Sequence, residues 1–402
     1  MPSKPKYTIT RRSFLKKASV ATAAIAPTII PGSALGLDGT VAPSDRIVIG
    51  AIATGGQAQS LIRNAVQQPD TQIVALCDIN RPKVEGVKKT IDSYYENNDC
   101  SIHSDFREVI ARDDIDALLI APPDHWHAIP CIQAAQAGKD IYCEKPLTHT
   151  LDEGRAVVNA VKRHGIVFQV GSMQRSDRRM KIACELVQNG YLGKIKHINV
   201  GLPDGGHSEN ATDYPEVPDG IDYDFWVGAA KWTPYHPKRM DWNWRWWMDF
   251  GGGQLMDWVG HHGDIAHMGM DWNTRGPKTI ESHTWVLPQN SNLYNGPVSY
   301  RAELTYKEGT TMTVGSMSVM PKVFTDHNDT GTQFFGENGD WIYVSRGRIN
   351  SNNKELLDLE FGANDLRFRK RHKTHHDHQT RQTRQRTIHY RRPDRLKRPV
   401  LV

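Results

Sequence analysis

Cysteine is scarce in this 402-residue chain: Cys77, Cys100, Cys131, Cys143 and Cys184 are all there are, and no two stand as a Cys-x-x-Cys pair. That pattern excludes a disulfide-stapled scaffold and a thiolate zinc site, and three of the five lie in apolar runs where cysteine acts as a small hydrophobe. Long apolar runs are missing too. The longest, near the N-terminus, is too short for a permanent transmembrane helix, so no stable membrane insertion is expected. Excess positive charge is also missing from most of the chain. Residues 366–402 hold 13 Lys and Arg against 2 Asp and Glu, and the remainder holds 37 against 43, a net of −6. The overall +5 therefore belongs to the tail and gives the body no nucleic-acid character. What is present, 38% hydrophobic residues and 11 tryptophans over this length, is enough for two domains with cores of their own.

The N-terminal stretch Thr10-Arg11-Arg12-Ser13-Phe14-Leu15-Lys16 leads into an alanine-rich run from Ala18 to Ala26 and the small-residue site Gly32-Ser33-Ala34. Double arginine, apolar run and cleavage site in that order read as a twin-arginine export signal over residues 1–40, with a periplasmic or otherwise exported destination. From Arg46 the pattern alternates. Strands are expected at Arg46–Ile52, Ile73–Cys77, Asp116–Ala121, Asp140–Cys143 and Ile166–Gly171, and the intervening helices include 57–67, 81–95 and 151–165. Such alternation predicts a parallel sheet with right-handed crossovers. After Ile195 the order changes. An irregular stretch over 203–253 is followed by a helix at 254–270 and then by strands near 283–287, 299–306, 311–316, 332–335 and 341–345, which predicts a broad, mostly antiparallel open sheet.

Ala53-Thr54-Gly55-Gly56-Gln57-Ala58 lies at the first strand-to-helix junction. It matches the dinucleotide fingerprint G-x-G-x-x-G at its central glycine, with Ala58 an accepted variant and Ala53 a departure at the first position. Helix N-terminal amides there favour phosphate, and Asp78, ending the second strand, is placed for a ribose diol, which favours NAD over NADP. Arg81 close by keeps NADP open. Thr54, Gly55, Gly56 and Asp78 are the candidate cofactor contacts. Glu144 and Lys145 sit where the strand 140–143 ends, the position at which open α/β sheets bind ligands. Asp257 and His261, four apart, share one face of the expected helix. The nearby His262, Asp264 and His267 add density, but helix geometry turns His262 away from His261, and no metal is expected.

Pro123-Asp124-His125-Trp126-His127, then Ile141-Tyr142-Cys143-Glu144-Lys145-Pro146, then Gly251-Gly252-Gly253-Gln254-Leu255-Met256-Asp257 through His261 resemble the glucose–fructose oxidoreductase / inositol dehydrogenase (Gfo/Idh/MocA) family, over about residues 46–365. The resemblance implies an N-terminal Rossmann domain and a C-terminal α/β domain on a large open sheet. It also implies a nicotinamide-dependent enzyme acting on a sugar, polyol or related carbohydrate. By the same resemblance Pro123, His127, Glu144 and Lys145 border the nicotinamide, Lys145 holds the substrate oxygen, and Asp257 and His261 are the acid/base pair. Histidine titrates near neutrality, which suits it to take the alcohol proton, with Asp257 orienting it. Arg175, Trp247 and His262 are the candidate substrate contacts. Two alternatives stay open: an NAD-dependent glycoside hydrolase that oxidises the sugar transiently, and a non-enzymatic sugar-binding relative. A homo-oligomer through the C-terminal sheet is expected. The expected domains are residues 44–171 and 172–366. The basic stretch 367–402, without glycine or apolar period, reads as a disordered, shifted-frame or otherwise non-native end, the alternative being a basic surface-binding arm.

Overall fold

The computed structural model describes residues 35–37, 41–321 and 330–359. Apart from residues 35–37, the expected export signal and the basic tail lie outside the described residues.

Continuous Val, Ile, Leu and Ala runs bury both faces of a strand, which suits a parallel sheet covered by helices on two sides. The first sheet is built this way. Its elements are β1 (Ile47–Ile52), α1 (Gly56–Val66), β2 (Thr71–Cys77), α2 (Arg81–Tyr95), β3 (Ser101–His103), α3 (Phe106–Ile110), β4 (Ala117–Ile120), α4 (Ala128–Gln136), β5 (Asp140–Cys143), α5 (Leu151–His164) and β6 (Phe168–Val170). The strand order is β3-β2-β1-β4-β5-β6, parallel throughout. The order reverses between β1 and β4, so a crevice opens at the carboxyl ends of these strands. Helix starts are set locally. The Asn80 and Asp105 side chains cap α2 and α3, and Thr150 and Glu153 form a reciprocal capping box on α5.

The second half comprises α6 (Arg178–Gln188), β7 (Ile195–Leu202), α7 (Tyr223–Val227), α8 (Gly253–Trp258), α9 (Asp264–Met270), β8 (Thr279–Val286), β9 (Ser299–Thr305), β10 (Thr311–Ser316), β11 (Gly331–Gly336), β12 (Trp341–Ser345) and β13 (Arg348–Ser351). The sheet order is β13-β12-β11-β7-β10-β9-β8. Only the β7–β10 pair is parallel, so the sheet is mostly antiparallel, as expected. Its core joins Met180 and Cys184 of α6, and Ile265 and Met268 of α9, to Ile198, Val200, Met312, Val314 and Phe334 of the strands.

Two features depart from the sequence reading. The helix expected over 254–270 is interrupted by a wider π turn at Val259–Gly263, which contains His261. The irregular 203–253 segment does more than loop: it reaches back onto the first domain. Arg81 N donates to Gly220 O (2.8 Å) and Asp222 N to Ile79 O (3.1 Å), around a bridge between Asn80 and Ile221. Phe225 stacks on Trp126 at 5.3 Å, and Lys83 pairs with Asp241 at 2.8 Å.

Candidate active site

The carboxyl ends of the first sheet and the returning 217–250 segment enclose a cleft of about 590 Å³. At one end is the turn after β1. Ala53 adopts φ +73°, the left-handed region that the fingerprint's first glycine would occupy without strain. Gly55 caps α1 without any side-chain bond, which leaves the first-turn amides facing the cleft. A β-carbon at Gly55 or Gly56 would meet nothing within 4 Å, so a ligand has room to approach the backbone. Thr54 is different. It is fully buried, and its N and Oγ1 both donate to Asp78 Oδ2 at 2.7 Å. The turn points Thr54 inward, so it positions Asp78 and does not line the cleft as a cofactor contact. Asp78 itself lines the cleft, with Oδ1 accepting from Asn80 N at 2.9 Å.

Further along, His127 is buried with both ring nitrogens at carbonyls, Pro146 O (2.5 Å) and Pro122 O (3.0 Å). Desolvation lowers its pKa while the two carbonyls raise it, and the ring packs between the β4 and β5 turns. Pro123 and Glu144 line the same wall, and Gln57 Nε2 crosses to Glu144 Oε1 at 3.0 Å.

The far end carries the charges. Lys145 Nζ lies 2.5 Å from Asp257 Oδ1 and 3.1 Å from Asp257 O, and Arg245 Nε lies 3.4 Å from Asp257 Oδ2. All three side chains are largely buried. Burial alone would raise the Asp257 carboxyl, but Lys145 and Arg245 outweigh it, and its pKa falls below the usual carboxylate value. The Arg245 guanidinium sits over Trp242 (3.9 Å) and Trp244 (4.5 Å) and donates to Trp242 O.

Four expected placements are corrected. Asp257 and His261 do not form a hydrogen-bonded pair. The carboxylate is taken by Lys145 and Arg245, and in the π turn four residues no longer complete a turn, so His261 rotates off the line of Asp257. His261 lies against Trp258 with Nδ1 buried and unpartnered, and desolvation with Lys145 and Arg346 lowers its pKa to about 3, against the pull of Asp257. Arg175 is held in a two-pronged pair with Asp264, 2.6 Å at each contact, and does not line the cleft. Trp247 packs under Arg239 in the buried cluster of Tyr223, Trp226 and Phe250. His262 is buried and bonds Thr330 Oγ1 at 3.0 Å, on the far side of the helix from the cleft. In their place the cleft presents Trp242, Trp244, Arg245 and Asp124. The signal for these was on hand, in the Trp-Asn-Trp-Arg-Trp-Trp run and the Pro-Asp-His motif, but neither says which side chain turns inward. Among the described residues no group of three or more His, Cys, Asp or Glu could hold a metal ion.

Residues 47–172 match the family model described as the NAD-binding Rossmann fold of the Gfo/Idh/MocA oxidoreductases, and residues 186–320 match that family's C-terminal alpha/beta domain. Together the two matches span well over half of the chain. The chain belongs to this family. An uncharacterized oxidoreductase, YrbE, from Bacillus subtilis is 35% identical over 148 residues, 37% of this chain and 42% of that protein. A glycosyl hydrolase family 109 protein from Solibacter usitatus is 31% identical over 196 residues, covering 46% and 44%. The solved structure of a levoglucosan dehydrogenase, in complex with NADH and levoglucosan, aligns over 76% of each chain with a TM-score of 0.54 at 19% identity, a likeness of fold. The chain thus spans less than half the length of these two curated relatives.

The residues present fit a nicotinamide dinucleotide. Uncapped α1 amides beside the open faces of Gly55 and Gly56 suit a pyrophosphate, and Asp78 at the end of β2 suits a ribose diol. From there the cleft runs on to Pro123, Glu144 and Lys145. The cofactor site of this NAD-binding family is therefore in place on this chain.

Proposed function

We propose that the protein is a nicotinamide-dependent oxidoreductase that moves hydride between the CH–OH of a sugar, polyol or related carbohydrate and a tightly held NAD. One observation carries the reading: the nucleotide-shaped cleft ends at a buried Lys145–Asp257–Arg245 cluster beside exposed tryptophan faces. The nicotinamide, when bound, accepts or returns the hydride. Lys145 then has one ammonium proton left, beyond the two directed at Asp257, for the substrate oxygen, and it stabilises negative charge developing there. The partly exposed Trp242 and Trp244 offer flat apolar faces of the kind that pack on a sugar ring. Asp78 favours NAD, since a carboxylate repels a 2′-phosphate. The family and the dehydrogenase relatives support the reading.

A second reading has its own support. The relative named as a glycosyl hydrolase family 109 protein supports glycoside cleavage, which on an NAD-binding chain would run through transient oxidation of the sugar with no net change in the nucleotide. The test is to offer the purified protein a panel of free sugars and aryl glycosides while following reduced nicotinamide and released phenol. Reduction by a free sugar supports the first reading. Phenol release without net reduction supports the second, and neither outcome would leave a sugar-binding protein.

Export through the twin-arginine route is part of the proposal, supported by Arg11-Arg12 and the short apolar run that follows. So is a homo-oligomer through the second sheet. Its edge strand β8 is almost wholly exposed, with Ile280, Trp285 and Val286 facing solvent, and an exposed edge strand is a ready pairing surface.

A further inference from the structure

We propose that Arg245 is a specificity-determining residue that receives a carboxylate of the substrate, so that the carbohydrate oxidised is an acidic one, a uronic or aldonic acid or a uronide; this rests on the oxidoreductase reading. Arg245 comes from the returning segment, in the short turn Asn243–Trp246, and is buried at the far end of the cleft. Taking a guanidinium out of water is costly unless its donors are met. Here most of them are not. One N–H, on Nη1, meets Trp242 O. Nε is buried without a hydrogen-bond partner, and among the described residues no bond from Nη2 is formed. Asp257 does not complete the set: its Oδ2 lies 3.4 Å from Nε, while Lys145 holds the other oxygen at 2.5 Å.

The surroundings select the ligand. The guanidinium packs on the rings of Trp242 and Trp244 at 3.9 and 4.5 Å, so its hydrogen bonds are made through its edge. A fork offered edge-on pairs with a planar carboxylate through two parallel N–H···O bonds. Charge favours the same ligand. Lys145 and Arg245 stand against the single carboxylate of Asp257. Glu144 turns its oxygens to Gln57 Nε2 (3.0 Å) and Lys145 N (3.2 Å). Burial raises the Asp124 carboxyl to about 7, so it carries only part of a charge near neutrality. An acid group on the substrate balances the surplus cation, whereas a neutral sugar leaves it buried and unpaired.

The two cations divide the work. Both meet one carboxylate, Lys145 at Oδ1 and Arg245 toward Oδ2, which keeps them within the span of a single sugar ring and its exocyclic carbon. Lys145 serves the reacting oxygen, and Arg245 grips the acid group. A grip remote from the reacting carbon orients the ring for hydride transfer.

The experiment uses the full-length protein with NAD bound and matched pairs of probes: glucose and glucuronate, galactose and galacturonate, sorbitol and gluconate, with glucose 6-phosphate as a second kind of anion. The rate of nucleotide reduction against probe concentration gives a second-order rate constant, and tryptophan fluorescence gives binding. In at least one pair the acid should exceed its neutral partner roughly 10- to 100-fold in that constant, the scale of a lost charge-assisted bond. Arg245→Gln should bring the ratio close to one by weakening binding of the acid. Arg245→Lys keeps a charge beside Asp257 but not the fork, and should hold only part of the ratio. Taking the ratio within a pair cancels any general damage from altering a partner of Asp257. Wild-type protein with no preference for the acids, or with a preference for glucose 6-phosphate, overturns the proposal. So does a preference for the acid that survives Arg245→Gln, and so does protein that neither binds nor oxidises any of the acids. If the acids bind in an Arg245-dependent way but none reduces the nucleotide, the recognition stands and the oxidoreductase reading has failed.

Discussion

Ala53 shows how one side chain can work against its site. Its φ of +73° is a conformation that costs an L-residue roughly 1–2 kcal/mol, and the turn that needs it is the one that presents Gly55 to the phosphates. Ala53→Gly removes that strain, while the freer unfolded chain takes back about 0.4–1 kcal/mol. The expected result is a gain of up to about 1 kcal/mol in denaturation experiments, with nucleotide bound at least as tightly. A measured loss would mean the strain is compensated elsewhere in the turn. Lys145 has the opposite character, because every contact it makes is used. Lys145→Ala leaves the buried Asp257 carboxylate with Arg245 alone. Losing one partner of a buried pair costs about 3–5 kcal/mol, and the remaining arginine should hold the loss to the lower end. Turnover should fall roughly 100-fold or more, while NAD affinity changes little. Lys145→Arg separates the two effects. It should recover stability but not activity, and a fully active Lys145→Arg enzyme would show that the lysine only neutralises charge.

At the scale of elements, what the sequence makes legible is what local chemistry dictates. The strands Ile47–Ile52 and Ala117–Ile120 of the first sheet are apolar runs with no polar interruption, and the helices between the strands open on Asn80, Asp105 and Thr150, so their types and near-boundaries follow from the residues. Lys145 is placed against the 253–270 helix by its strand end alone. Which side chain of that helix it meets is not legible, because the π turn at 259–263 has no signature in its residues and changes which positions share a face. The 203–253 segment is harder still. Its tryptophans carry no period, so nothing local says that Trp247 turns inward and Trp242 outward, or that Arg175 will be captured by an aspartate 89 positions away. The segment's attachment gives a prediction of its own. A β-carbon at Gly228, where φ is +55°, would run into the Trp126 ring. Gly228→Ala should therefore cost about 1–3 kcal/mol through overpacking and lift α7 off Trp126. The expected signs are a lower denaturation midpoint, altered tryptophan fluorescence and faster nucleotide release. An unchanged release rate would mean that this contact does not help close the cleft.

For the whole molecule, buried histidines set the response to acid. His125, His261 and His262 are pushed by desolvation to about 4, 3 and 3, so the folded protein keeps them neutral where the unfolded chain would protonate them. Their contribution to stability is complete above the unfolded value near 6.5 and is lost as pH falls toward 3–4. Asp124 runs the other way: its folded pKa of about 7 gives a contribution present below pH 3.8 and lost as pH rises through 7. Between these limits these four groups take up a net of about two protons on unfolding, so their share of the stability should drop by on the order of 2–3 kcal/mol per pH unit from 6 to 4. A flat profile of denaturation midpoints over that range would mean these rings are hydrated in solution. The same interlocked architecture bears on how the cofactor is kept. The nucleotide cleft is walled by the first domain on one side and by Phe225, Trp226 and Trp242 of the returning segment on the other. That segment is fastened by the Asn80–Ile221 bridge, the Lys83–Asp241 pair and the Phe225–Trp126 stack. A segment fastened in this way is expected to slow exchange. If the protein is exported folded, as proposed, it works where no nicotinamide pool replaces a lost cofactor, and a protein that released its nucleotide would stop after one turnover. Retention through dialysis then implies a dissociation constant well below micromolar, or more than roughly 8 kcal/mol. Mass spectrometry of the purified, dialysed protein should find close to one NAD per chain, and a reducing sugar should produce the near-ultraviolet absorbance of reduced nicotinamide with no nucleotide added. Protein that emerges nucleotide-free and works only with added NAD at concentrations near millimolar would refute tight retention and leave the fastened segment a structural role alone.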